Sequence, residues 1–207
     1  MSRERNAQQK IGNIEKHLVS MLDKLHGSKD IPAISEVDFN ETRRRRKPAG
    51  YYFFTIQERG NEAHGIIIEK RISSKTGKAS FYLFDPNGQR WANASGYRIG
   101  ISVDGKTVKP SITLSPKKSW NPMGYCALWC LVTGIFLANV RDSSDEDLPF
   151  GPTDKARFYT YMDKNGGAFI EDVYKNLILN HRDDYSSAGQ AQVFIDAILG
   201  KILIAIN

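Results

Sequence analysis

Cys126 is the residue whose surroundings best suit nucleophilic chemistry. It stands in the segment Asn121-Pro-Met-Gly-Tyr-Cys-Ala-Leu-Trp-Cys130, whose beginning disfavours a helix and whose end favours one. A cysteine at such a loop-to-helix junction meets unpaired backbone amides and the positive end of the helix dipole, which lower a thiol pKa and supply hydrogen-bond donors. The structural alternative is that Cys126 is a small buried apolar residue, the commonest role of an unpaired cysteine.

His64 is the histidine best placed to accept the proton of that thiol. It follows the polar turn Gly60-Asn-Glu-Ala and opens an apolar strand, so a rigid strand end would hold its ring. The other three histidines, His17, His26 and His181, lie on predicted helices, where structural or solvent-exposed roles are expected.

Asp85 is the candidate carboxylate that would orient the imidazole. It ends the next apolar strand, in Phe84-Asp-Pro-Asn-Gly88, and antiparallel pairing of the two strands would bring His64 and Asp85 to the same edge of the sheet. A carboxylate there selects the ring tautomer that a base needs. Asn87 is the second candidate for this role, and a turn-forming Asp before Pro is the structural alternative.

The number of cysteines and the length of the apolar runs argue against a metal site, a disulfide framework and a membrane span. The chain has only two cysteines, and Cys130, one helical turn after Cys126, is expected to pack inside. No cluster of Cys and His accompanies them, so neither a metal site nor a disulfide framework is expected. The polar start of the chain is unlike a secretory signal, and the apolar stretch 127–140 is too short to cross a bilayer. We therefore expect a reducing compartment and no membrane.

The pattern along the chain predicts an α+β fold. An amphipathic helix is expected over residues 3–26, and a strand-rich region and then helices follow an irregular basic segment. The predicted strands are 51–57, 65–70, 80–84, 98–103 and 107–113. The predicted helices are 125–140, 154–164, 167–181 and 188–204, with Asp154 and Ser187 as N-caps.

The composition, 41% hydrophobic and 25% charged, is typical of one globular domain at this length. We predict a single domain over 1–207, made of an N-terminal helix (1–27), a basic connecting segment (28–49) and a core (50–207). The predicted architecture is a central mixed β-sheet packed between helices, with Cys126 at the N-terminus of the central helix.

The ordered set of motifs resembles the adenain-like cysteine proteases. It comprises His64 opening an Ile-rich strand, then Phe84-Asp-Pro-Asn-Gly88, then Gly124-Tyr-Cys-Ala-Leu-Trp129, and the resemblance covers about residues 50–140. That family includes the adenovirus maturation protease, enzymes of large DNA viruses and virophages, and the SUMO-specific proteases. The forms of the motifs are most similar to the virophage and giant-virus capsid-maturation proteases.

The resemblance implies a papain-type fold and a thiol endopeptidase with the triad His64, Asp85 and Cys126. Its expected substrates are capsid or other virion precursor proteins, cut at small-residue, Gly-containing sites in the virion or in the host cytoplasm or nucleus. The family usually places a Gln before the Cys for the oxyanion hole, but none lies between Gln89 and Gln190. Asn121 or the indole N–H of Trp120 would take its place, together with the backbone N–H of Cys126.

A basic run gives the chain its densest charge, within a formal net charge of +6. The run consists of Arg43, Arg44, Arg45, Arg46 and Lys47. Such a run favours contact with phosphates, and the resemblance implies double-stranded DNA as an activating polyanion, with no other cofactor. A solvated loop is the alternative.

Two other functions stay open at this point. One is a SUMO- or ubiquitin-like isopeptidase with the same chemistry, although Gly65 stands where SUMO-specific members carry a Trp after the His. The other is an inactive DNA- or capsid-binding protein on the same scaffold.

Overall fold

Three antiparallel strands form the sheet that carries the predicted histidine and aspartate. The computed structural model describes residues 3–25, 50–57, 63–90, 101–103, 106–121, 124–140 and 148–207. The strands of this sheet, in the order β1-β2-β3, are β1 Gly50–Gln57, β2 Ala63–Ile72 and β3 Ala79–Phe84. The register sets Ile56 opposite His64 and Ile67 opposite Phe84.

The centre of β2 is buried on both faces. Ile66 and Ile67 are 0% exposed and Ile68 is 2% exposed. Because successive side chains of a strand point to opposite faces, three buried residues in a row mean that both faces of β2 are covered. Each isoleucine contributes about 1.5–3 kcal/mol by its burial, so this run stabilises β2 and holds His64 on rigid structure.

The connection between β2 and β3 is a tight turn. The Ser73 N–H donates to the Lys78 carbonyl at 3.0 Å, and the Gly77 N–H donates to the Ser73 carbonyl at 2.8 Å. Gly77 has φ +65°, a conformation that glycine adopts without steric cost. This turn sends β3 back alongside β2, so that β3 ends near the edge where β2 begins.

A second, smaller hairpin follows, and its strands are β4 Ile101–Val103 and β5 Lys106–Val108. These strands overlap the predicted strands 98–103 and 107–113, but β5 ends at Val108 rather than at residue 113. Asp104 and Gly105 lie outside the described residues. After β5 the chain returns to the main sheet, where Ser111 forms a parallel bridge with Tyr82 of β3. The main sheet is thus antiparallel from β1 to β3 and gains a parallel contact at β3.

Four helices complete the described structure, and the α+β class is confirmed. They are α1 Arg3–Leu25, α2 Cys126–Ala138, α3 Asp154–Val173 and α4 Ala188–Ile206, with a π-helical turn Tyr174–Leu179 directly after α3. Every residue of α2 from Leu128 onward is buried. A helix that is apolar all round belongs in a core, and the burial of α2 agrees with its composition.

The prediction of two helices over 154–164 and 167–181 is wrong. The chain is one continuous helix there, because Gly166 and Gly167 cost only about 1 kcal/mol each within a helix, and buried apolar neighbours such as Phe158 offset that cost. Asp154 is also not the N-cap. It is the first helical residue, and its carboxylate accepts the Gly151 N–H at 2.8 Å.

The chain divides into two compact units, Met1–Leu18 with Leu131–Asn207 and Val19–Cys130. In the first unit, Lys10 of α1 is 4% exposed, and its ammonium group donates to the carbonyls of Ile178 and His181 at 3.0 and 2.6 Å. A cation suits the end of a helix, so Lys10 anchors the part of α1 that belongs to this unit. The predicted single-domain boundaries stay a prediction, and the connecting segment 28–49 lies outside the described residues.

The last helix begins as predicted and is strongly apolar. Ser187 is its N-cap, and with Gln190 it forms a capping box. The buried residues of α4 are Ala191, Phe194, Ile195, Ile198 and Ile202. By length and composition alone α4 is the one helix, among those described, that would suffice to cross a membrane, with 33% of its apolar window buried. Core helices pass the same test, so this observation is weak evidence.

Candidate active site

His64 and Asp85 meet at one edge of the sheet, as the antiparallel pairing of their strands predicts. His64 is the second residue of β2, and Asp85 comes directly after β3. Nε2 of His64 lies 2.9 Å from Oδ1 of Asp85, and the two residues are 5% and 1% exposed. A hydrogen bond of this length, shielded from water and made to a carboxylate, fixes the orientation of the ring.

Cys126 completes a hydrogen-bonded series with this pair. It is the first residue of α2 and is half-buried, and its thiol is hydrogen-bonded to the His64 side chain. Since Asp85 occupies Nε2, the ring nitrogen that remains for the thiol is Nδ1. A sulfur, an imidazole and a carboxylate therefore lie in sequence, in the order that thiol catalysis requires.

The electrostatics of the pair favour a thiolate beside an imidazolium. Burial by itself lowers the pKa of His64, but the hydrogen bonds and charges of Asp85 and Cys126 outweigh it and raise that pKa from 6.5 to about 10. Burial by itself raises the pKa of the Cys126 thiol, but the His64 ring and two backbone N–H groups bring it below its ordinary value of 9.0. The proton thus prefers the ring to the sulfur.

The Asp85 side chain is held in place by its own turn. Oδ1 accepts the Asn87 N–H at 2.8 Å as well as the histidine, and the Gly88 N–H closes the turn on the Asp85 carbonyl at 3.0 Å. Ser115 fixes the entry to the turn, because its hydroxyl accepts the Asp85 N–H at 2.9 Å and donates to the Leu83 carbonyl at 3.0 Å. The predicted turn is confirmed, and it presents the carboxylate to His64.

Asn87 does not contact the histidine as the second candidate orienter would. Its side-chain Oδ1 accepts an N–H of the Asn121 amide at 3.1 Å, which ties the turn to the segment that leads to the nucleophile. The structure therefore places Asp85, and not Asn87, on the imidazole.

The turn after β3 is clamped to that same segment by its backbone. The Trp120 N–H donates to the Pro86 carbonyl at 2.9 Å, and the Gln89 N–H donates to the Pro116 carbonyl at 2.8 Å. Gly88 has φ +88°, and a Cβ there would lie 2.9 Å from the carbonyl carbon of Lys118. The turn that holds Asp85 and the segment 116–121 thus approach as closely as a glycine permits.

The predicted oxyanion donors have different surroundings. Trp120 is 5% exposed and its ring packs on Phe84 and Trp129, with centroids 5.9 and 5.2 Å away, which favours a packing role. The Asn121 side-chain amide already donates one of its two hydrogens to Oδ1 of Asn87. The backbone N–H of Cys126 stands in the first turn of α2, at the positive end of the helix dipole. The side-chain half of the oxyanion hole stays a prediction.

Three other predicted residues with described positions, Cys130, His17 and His181, have partners elsewhere. Cys130 is 1% exposed in the core, and the run Arg43–Lys47 lies outside the described residues. His17 contacts the Ser186 carbonyl and the His181 ring stacks on Tyr185, both in the other unit. Among the residues with described positions, no group of three or more Cys, His, Asp or Glu could hold a metal ion.

Three residues that contact Asp85 or Cys126 were not predicted from the sequence. Ser115 gave no signal, since a serine in a loop is unremarkable by itself. The N–H groups of Gly65 and Ala127 both donate to the Cys126 sulfur. A signal existed for Gly65, because a glycine inside a strand often marks the close approach of another backbone.

Comparison of the chain with protein-family models, with curated protein sequences and with solved structures gives no match in any of the three. The family resemblance therefore stays a prediction that rests on the motifs themselves, and the function is argued below from the geometry of the site.

Proposed function

We propose that this protein is a cysteine peptidase in which Cys126 is the nucleophile, His64 the general acid and base, and Asp85 the orienting carboxylate. The observation that carries the proposal is the buried series thiol–imidazole–carboxylate, with 2.9 Å between His64 and Asp85 and a hydrogen bond between His64 and Cys126. The three residues come from distant parts of the chain, and core packing alone has no need to align them in this order.

The proposed reaction begins from the thiolate–imidazolium pair. The Cys126 sulfur attacks the carbonyl carbon of a peptide bond, and His64 gives its proton to the amide nitrogen as the C–N bond breaks. The amine leaves, and the acyl group stays on the sulfur as a thioester. A water molecule then attacks the thioester carbon and gives a proton to His64, after which the thiolate and the carboxylic acid separate. Asp85 keeps the ring in the required tautomer throughout.

Backbone amides at the start of α2 support the stabilisation of the tetrahedral intermediate. The N–H of Cys126 is the proposed donor to the oxyanion, since a helix N-terminus favours negative charge. Asn121 is the proposed second donor, because it lies in the loop just before Cys126 and carries a second amide hydrogen besides the one on Asn87.

The finer proposal is a papain-type maturation peptidase that cuts capsid or other virion precursors at Gly-containing sites. It is supported by the placement of the thiol on a buried helix and of His64 and Asp85 at a sheet edge, together with the resemblance in sequence. A SUMO- or ubiquitin-like isopeptidase remains the alternative with the same chemistry. The hydrogen-bonded thiol and imidazole favour an active enzyme over an inactive scaffold. Activation by DNA stays a prediction, since Arg43–Lys47 lies outside the described residues.

Cys126→Ala and Cys130→Ala form a matched pair for testing the proposal, because the two thiols lie one helical turn apart and only one contacts His64. The full-length protein and both variants are incubated with a denatured protein mixture, and new peptide ends are mapped by mass spectrometry. Iodoacetamide labelling of each cysteine is timed in the same samples.

We expect rapid alkylation at Cys126, slow alkylation at Cys130, and cleavage by the parent protein and Cys130→Ala only. Equal slow labelling of both cysteines, or cleavage that persists in Cys126→Ala, would contradict the proposal. Covalent reaction of Cys126 with a SUMO or ubiquitin vinyl sulfone would favour the isopeptidase proposal over the endopeptidase proposal.

A further inference from the structure

We propose that Gly65 is a positioning residue for the nucleophile: its backbone N–H holds the Cys126 sulfur, and its missing side chain lets β2 lie against the first turn of α2. The inference rests on the proposed function, because it assigns a role in preparing the same thiol. It concerns a residue that the triad does not include.

The first observation is steric. A Cβ at Gly65 would lie 3.3 Å from the Cα of Ala127, 3.4 Å from its nitrogen and 3.5 Å from the carbonyl carbon of Cys126. All three are backbone atoms, which cannot rotate away as a flexible side chain can. A side chain at this position therefore pushes the first turn of α2 away from β2 by a few tenths of an ångström. By contrast, a Cβ at Gly167 of α3 would meet nothing within 4 Å.

The second observation explains why the Gly65 amide is available. β3 pairs with β2 only as far as Phe84 opposite Ile67, so the same register would set Gly65 opposite Pro86. The chain leaves the sheet at that proline, which has no N–H, and Gly65 keeps a strand partner in β1 alone, at Thr55. The place that β3 vacates is taken by the start of α2, and the Gly65 N–H donates to the Cys126 sulfur.

Two backbone amides and one ring thus converge on the sulfur. The N–H groups of Gly65 and Ala127 and the His64 side chain all form hydrogen bonds with it. Hydrogen bonds from donors stabilise a thiolate more than a thiol, because the negative charge strengthens each of them. The titratable groups facing the sulfur among the described residues are His64 from β2 and, behind it, Asp85 after β3.

The substitution Gly65→Ala tests the steric part, with Gly167→Ala as the matched control. A displacement of the thiol by a few tenths of an ångström should lower kcat, and the rate of iodoacetamide alkylation at neutral pH, by about tenfold, since misplacement by 1 Å costs about 100-fold. KM should change little. The midpoint of the alkylation pH profile should move upward, which a merely structural role would not cause. An unchanged midpoint and rate in folded Gly65→Ala would overturn the inference.

A measurement on the unmodified chain covers the case in which Gly65→Ala does not fold. With ¹⁵N-glycine labelling, the amide proton of Gly65 should shift downfield with the same midpoint as the thiolate ultraviolet absorbance. In Cys126→Ala, where His64 still titrates, that shift should disappear, and the Gly167 amide should not respond in either protein. A Gly65 titration that is the same in both proteins would refute the hydrogen bond.

The two proposals fail separately. If the Gly65 amide shift titrates with the thiolate in a protein that cleaves no peptide bond, the role of Gly65 is supported and the peptidase function is overturned. If peptide bonds are cleaved while the Gly65 amide shift does not respond to ionisation of the thiol, the peptidase function is supported and the role of Gly65 is overturned.

Discussion

Replacing the carboxylate behind the histidine is the most informative single perturbation of the site. Asp85→Asn keeps an oxygen that can accept the hydrogen bonds from His64 and from the Asn87 N–H, and it removes the negative charge. Asp85→Ala removes the charge and both bonds, and leaves the buried Nε2 of His64 without its partner. The backbone N–H of Asp85, which bonds to Ser115, is unaffected in both variants.

The size of each effect follows from the hydrogen bond that is lost. A buried bond to a charged acceptor contributes about 1.5–3 kcal/mol, and a neutral one about 0.5–1.5 kcal/mol. At 1.36 kcal/mol for each factor of ten, Asp85→Ala should slow catalysis by about 10- to 150-fold, and Asp85→Asn by about tenfold. Both variants should also lower the pKa of His64 and raise that of Cys126, because the charge of Asp85 favours the imidazolium.

The assay is the rate of Cys126 alkylation as a function of pH, which requires no knowledge of the substrate. The midpoint should rise in Asp85→Asn and rise further in Asp85→Ala. Asp154→Asn is the control, because that carboxylate also accepts a backbone N–H and takes no part in the site. If both Asp85 variants stay folded, as judged by circular dichroism, and keep the parent profile, the argument that Asp85 acts through His64 is refuted.

Two further predictions concern pH and the clamp. Since the reactive pair needs a deprotonated Cys126 and a protonated His64, kcat/KM should rise as the pH passes a thiol pKa below 9.0 and fall again near pH 10; an alkaline limb near 6.5 instead would contradict this. Gly88→Ala should lower the free energy of unfolding in urea by about 1–3 kcal/mol because of backbone strain, and by more because its new Cβ would contact the Lys118 backbone. In the control Gly77→Ala, only the backbone strain applies. An equal loss of stability in the two variants would argue against the tight contact at Gly88.

Local patterns were sufficient for much of the fold. The run Ile66–Ile68 predicts a strand covered on both faces because only such a strand needs three apolar residues in succession. The turn that starts at Asp85 and the capping box at Ser187 are likewise encoded within a few residues. These features form from interactions between near neighbours, so a short window of sequence contains their cause.

An error arose where distant packing opposed local preference. The sequence predicts two helices, 154–164 and 167–181, but the buried face of α3 carries one helix through Gly166 and Gly167. There the burial of apolar surface outweighs a local cost of about 1 kcal/mol for each glycine.

The residue types alone predicted which groups could do chemistry: a thiol at a helix start, an imidazole at a strand start and a carboxylate in a turn. Whether the sulfur meets the ring depended on how closely α2 approaches β2. That distance is set at Gly65 by contacts between backbones far apart in the chain, and the clamp at Gly88 holds Asp85 in register with them. Such contacts exist only after the chain has folded, because no local preference encodes the separation of two segments.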